Sequence, residues 1–164
     1  MRIARFVSLP CMLLAVACAP SAPTQSAGPS LAVDSIAAAG DSIAARRDSL
    51  AEAVLASIAG REQMPAESVF KNLKRMNRIP AARLIRVMNT GFSRSLGVSC
   101  DHCHVVGEWE KEDRHQKQVA REMMAMVGTI NRDLLGKIQG LESDNPTVNC
   151  TTCHRGMTKP ALDL

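Results

Sequence analysis

Two short segments of this 164-residue chain have the residue types and spacing for cofactor chemistry: Cys100-Asp101-His102-Cys103-His104 and Cys150-Thr151-Thr152-Cys153-His154. Both read CxxCH. Two thiols three residues apart sit on about one helical turn, where they can add across the two vinyl groups of a porphyrin. The next imidazole then lies under the ring, with a nitrogen on the iron. The pair therefore implies two covalently bound haem c groups, with Cys100, Cys103, Cys150 and Cys153 as thioether partners and His104 and His154 as iron ligands. A zinc ribbon spaces its CxxC pairs by about 15–20 residues, whereas 46 residues separate Cys103 from Cys150. Two disulfides would need no His after each pair. One chance CxxCH in such a chain has odds on the order of one in a thousand, and two are far rarer.

The remaining cysteines fit an exported protein. Arg2 and Arg5, an apolar run from Phe6 to Val16 and the small residues Ala15-Val16-Ala17 read as a signal segment over 1–17. The run is too short to span a bilayer, which takes roughly 20 residues. Cys18 follows directly and resembles the acylated Cys of a bacterial lipoprotein, although Ala15 stands where such signals prefer Leu. Cys11 leaves with the signal, Cys18 takes the lipid, and four cysteines take haem. None is left for a redox-active thiol.

Each iron also needs a sixth ligand or an open site, and that choice separates an electron carrier from a peroxidase-like enzyme. Thioether sulfur is a soft ligand that favours ferrous iron and raises the potential. Met88 lies twelve residues before Cys100, and Met123 and Met126 share the apolar stripe of a later helix; Met124 is turned about 100° from Met123. These are the candidates.

The elements that must position them read as all-α, with little or no strand. Pro65 opens a helix with Val69, Phe70, Leu73 and Met76 on one face, and Pro80 opens another bearing Leu84, Met88 and Phe92. A third spans about 114–135, with Val119, Met123, Met126, Val127, Ile130 and Leu134 in one stripe. Residues 18–30 read as a flexible linker. The Asp-Ser-Ile, Asp-Ser-Ile and Asp-Ser-Leu triplets at Asp34, Asp41 and Asp48 mark 31–60 as an Ala-rich helical stalk closed by Gly60. Three heptads, their second seam position mostly Ala or Gly, favour a stalk over a coiled coil that forms an oligomer. The functional domain is then 61–164.

Formal net charge is +4 and reads as evenly mixed, with only four aromatics, which argues against a nucleic-acid partner. Losing Arg2 and Arg5 leaves +2, and four ionised propionates bring the total to about −2.

From Asn72 to Pro160 the chain resembles the cytochrome c subunit of bacterial photosynthetic reaction centres and its non-photosynthetic relatives. The resemblance rests on Leu96-Gly97-Val98, Trp109, Ala120-Arg121-Glu122-Met123-Met124-Ala125-Met126, Ile130-Asn131 and Cys150 to Gly156. It implies helix–turn–CxxCH units in which a helix Met ligates the haem attached just after it. That gives Met88 with His104, and Met123 with His154, Met126 being the fallback. It also implies that Trp109 packs near a haem and Arg155 near propionates. The four-haem subunits carry two such pairs where this chain has one, and a His that serves the missing half is replaced by Lys137. The expected function is single-electron transfer on the periplasmic side of a bacterial membrane, with redox proteins as partners; docking to a reaction centre stays open. Its rivals are a haem enzyme with one five-coordinate iron and a structural haem array.

Overall fold

The computed structural model describes residues 30–160. They form helices joined by turns, with isolated bridges at Pro65–Pro80 and Val105–Glu108. The all-α reading holds. The signal segment 1–17, Cys18 and most of the linker lie outside the described residues.

Helix α1 runs from Ser30 to Ser57, and Gly60, at φ 79°, turns the chain away from it. Its C-terminal half is no isolated stalk. Ala51 and Ile58 are buried with Ala81 and Ile85, and Val54, Val69 and Phe70 pack on that cluster. Ala51 and Ala81 are small, so two helix backbones can come close at this contact. Arg46 pairs with Asp101 at 2.9 Å, and Asn89 donates to Asp48 at 3.1 Å, which pins α1 to the neighbourhood of the first CxxCH motif. The C-terminal half of α1 thus packs on residues beyond 61. Of the heptad seam, Ile43 is exposed and Leu50 lines the cleft described below.

The helix expected after Pro65 is only one turn long, α2 at Ala66–Val69. Asn72 and Met76 then adopt left-handed backbone, at φ 57° and 59°, so the helical spacing of Leu73 and Met76 is not realised as a helix face. Asn tolerates this region through its short polar side chain, and here Asn72 Nδ2 donates to the Glu110 carbonyl at 2.7 Å. A contact 38 residues away in sequence is invisible to local periodicity.

The helix expected after Pro80 is present in three continuous pieces: α3 at Ala81–Arg86, a π-helical stretch at Val87–Ser93, and α4 at Arg94–Leu96. Widening the turn from 3.6 toward about 4.4 residues keeps positions four apart close to one line. Leu84, Met88 and Phe92 consequently face the same cleft. Gly97 ends α4 in left-handed backbone at φ 66°, and a 3₁₀ turn at Cys100–His102 carries the first motif. Helix α5, His115–Thr129, continues as a π turn to Leu134 and a 3₁₀ turn to Lys137, close to the expected 114–135. Helix α6 is Cys150–His154, the second motif itself.

Candidate haem sites

The first motif opens onto a cleft with about 1230 Å³ of atom-free space, part of it open to solvent. Its wall comes from four regions: Leu50, Ala51 and Val54 of α1, the loop after α2, the Leu84–Met88–Phe92 line, and Ala120 and Met124 of α5. Cys100, Cys103, His104 and Trp109 complete it. This places Met88 and His104, expected ligands of one iron, on a single predominantly apolar cavity, with both thiols at its edge. Burial raises the Cys100 and Cys103 thiols above their ordinary range.

His104 is fixed by a backbone carbonyl. Its Nδ1 lies 3.1 Å from the Trp109 carbonyl oxygen. A carbonyl can only accept, so the proton sits on Nδ1 and the Nε2 lone pair is free for a metal, the usual arrangement of a ligating imidazole. Burial lowers the His104 pKa, with the Trp109 bond acting the other way, which keeps the ring neutral. The Trp109 ring meets it edge-on, centroids 5.8 Å apart at 63°.

The same carbonyl takes a second donor that the sequence did not reveal. Lys117, on the first turn of α5 and only 9% exposed, reaches Trp109 O at 2.9 Å and Lys111 O at 2.7 Å, with Glu112 Oε1 at 3.4 Å. Arg121 also pairs with Glu112 at 2.7 Å. Lys117 and Arg121 therefore organise the 109–112 turn, and Asn72 ties that turn to the opposite lip. The Arg121 bond, followed by Lys117, draws the Glu112 carboxyl down to about 2.

At the second motif, Asn149 caps α6 in a reciprocal pair with Thr152. Asn131 brackets Val148 with two 2.9 Å bonds, tying the end of α5 to the segment that leads into the motif. His154 is 8% exposed, and its Nδ1 lies 3.0 Å from the Met157 carbonyl. Again the proton is on Nδ1 and Nε2 is free. Burial raises the Cys150 thiol. Met123 is half-buried and Met126 is 45% exposed; neither lines the first cleft, and nor do Cys150, Cys153 and His154. Arg155 takes left-handed backbone at φ 50° as the α6 cap and is exposed.

The two motifs are joined directly. Ser95 Oγ and Thr151 Oγ1 are 2.6 Å apart, and Gly156 N donates to Ser95 O at 2.8 Å. A Cβ on Gly97 would fall 1.9 Å from the Gly156 oxygen. Gly97 is thus required both by its backbone and by this approach. Among the described residues no three His, Cys, Asp or Glu converge on a metal position, and Cys100, Cys103, Cys150 and Cys153 form no disulfide with one another.

Residues 23–162 match the family described as photosynthetic reaction centre cytochrome C subunit. The chain belongs to that family. Membership in this cytochrome c family implies covalently bound haem c, and the cleft with its two thiols and free Nε2 fits such a group. The chain is 31% identical over 98 residues to the photosynthetic reaction center cytochrome c subunit of Thermochromatium tepidum, covering 58% of this chain and 22% of that protein. It is 28% identical over 74 residues to cytochrome c-554 of Chloroflexus aurantiacus, covering 45% and 17%. The Roseobacter denitrificans reaction center cytochrome c subunit is 31% identical over 84 residues, covering 44% and 23%. The chain spans about a fifth of the length of these curated relatives.

Proposed function

We propose that the protein is an exported dihaem c-type cytochrome that passes single electrons between proteins at the periplasmic side of a bacterial membrane, to which Cys18 anchors it by acylation. The observation that supports this best is the matched preparation of two histidines. His104 and His154, each closing a CxxCH motif, both give their Nδ1 proton to a backbone carbonyl and leave Nε2 free. A haem iron supplies reversible one-electron chemistry. The chain's part is to hold it. Cys100, Cys103, His104 and Met88 serve the first group, with Trp109 against its histidine. Cys150, Cys153, His154 and Met123 serve the second, with Met126 as the alternative thioether and Arg155 available to propionates. Six-coordination would leave little to rearrange on electron transfer, which suits a carrier and excludes substrate from the iron.

Pyridine haemochrome assay of the purified full-length protein should give two haems per chain. Cys150→Ala/Cys153→Ala should retain one. A wild-type value of one haem, or a ferric haem that takes up cyanide without losing Met, would contradict the proposal and favour a haem enzyme.

A further inference from the structure

The net charge conceals a strongly uneven distribution. From Ser68 to Cys100 the chain has seven Lys or Arg residues and no acid, so the reading of an even mixture does not hold for this strip. None of the seven forms an ion pair among the described residues. Lys71, Lys74 and Arg75 are exposed and stand at the mouth of the first cleft, where the left-handed turns at Asn72 and Met76 set the course of the loop. Arg83 and Arg86 are also exposed, but on the side of α3 away from Leu84 and Met88, so they stand outside this mouth. Of the acids near this opening, Glu112 is committed to Arg121 and Lys117, and Glu122, bonded to the neutral amide of Gln118, leaves one carboxylate beside three cations.

We propose that the basic loop bearing Lys71, Lys74 and Arg75 is the docking surface for an acidic one-electron redox protein, which exchanges an electron with the haem in the first cleft. The inference rests on the carrier function proposed above and adds the chemistry of its partner. As one centre is oxidised the other is reduced, and no further reactant is needed. An anionic membrane would also be drawn to such a charge. Membrane-surface segments, however, set exposed apolar side chains beside their cations, and no large hydrophobic residue between Ser68 and Cys100 is strongly exposed. A surface charged but not greasy fits a protein partner that must arrive quickly and leave again.

The test uses oxidised full-length holoprotein and two reductants: a reduced plant-type ferredoxin as the acidic protein probe, and neutral reduced lumiflavin to normalise for any change at the haems. The normalised ferredoxin rate should fall at least tenfold between low and physiological ionic strength. Lys71→Glu/Arg75→Glu should lower it about tenfold at low salt, and Arg83→Glu/Arg86→Glu, on the other side of α3, should lower it much less. A normalised rate insensitive to salt and to Lys71→Glu/Arg75→Glu, or lowered equally by both variants, would overturn the docking surface while leaving the carrier reading intact. Binding to vesicles of mixed neutral and anionic lipid that the variants abolish, with unchanged ferredoxin rates, would also overturn it, in favour of a membrane. Failure of lumiflavin to reduce the haems would overturn the carrier reading and the docking surface together.

Discussion

Lys117 offers the sharpest perturbation of the first site. Its ammonium and the His104 Nδ1 proton share the Trp109 carbonyl oxygen, at 2.9 Å and 3.1 Å. The charge therefore lies within about 6 Å of Nδ1, and at roughly 10 Å from an iron on Nε2, once an imidazole ring and a metal bond are allowed for. A positive charge there opposes oxidation of the iron, both directly and by reducing what the carbonyl can donate to the ring. At an effective dielectric of about 20, a unit charge at ~10 Å contributes ~1.5 kcal/mol. For one electron that is about 60 mV. Lys117→Met keeps most of the apolar stem and removes the charge, so it should lower the potential of the haem attached at Cys100 and Cys103 by about 60 mV. The haem at α6, whose histidine bonds to Met157 with no lysine on that carbonyl among the described bonds, should move far less. Lys117→Arg should stay within about 20 mV of wild type. Spectroelectrochemical titration of the holoproteins, with Cys150→Ala/Cys153→Ala isolating the first haem, reads the shift. An unchanged or raised potential in Lys117→Met, or equal movement of both haems, would refute the reasoning.

Other consequences are independent of that one. Met88→Ala should convert the first haem alone to a form that binds CO when reduced, checked by difference spectra; retention of a CO-inert haem would remove Met88 as the ligand. Gly97→Ala should destabilise the fold by about 2–4 kcal/mol, because the new Cβ meets the Gly156 backbone as well as an unfavourable φ. Thermal melts should show this, with Gly136→Ala, where a Cβ meets nothing within 4 Å, as a near-neutral control. Glu112 has its folded pKa depressed to about 2 from 4.5. Its contribution is therefore present above about pH 4.5 and lost as pH falls toward 2. Because the carboxylate is largely exposed, that contribution is under ~1 kcal/mol and falls with salt. Acid-unfolding curves of wild type and Glu112→Gln should converge below pH 2 and separate modestly above pH 4.5.

The CxxCH motifs, the helix bearing Met88 and the extent of α5 were legible because each rests on local signals: a fixed spacing, a proline at a helix start, a long apolar stripe. What escaped depended on partners distant in sequence. The stretch after Val69 has helical spacing, yet Asn72 bonds to Glu110 and bends the chain instead. The Ala-rich pattern of α1 suits a free stalk as well as a packed helix, and only the contact with Ala81 and Ile85 distinguishes them. Nothing local in the sequence marks Lys117; its role arises from the turn at 109–112 folding over it. The run of basic residues stands plainly in the sequence, with seven Lys or Arg and no acid from Ser68 to Cys100.

Quantitative electron paramagnetic resonance of the fully oxidised holoprotein tests the central claim most directly. Two axial His–Met irons per chain predict two low-spin ferric signals, integrating to two spins per chain and unaltered by cyanide at short exposure. One spin per chain, or a high-spin signal from either haem, would contradict the account.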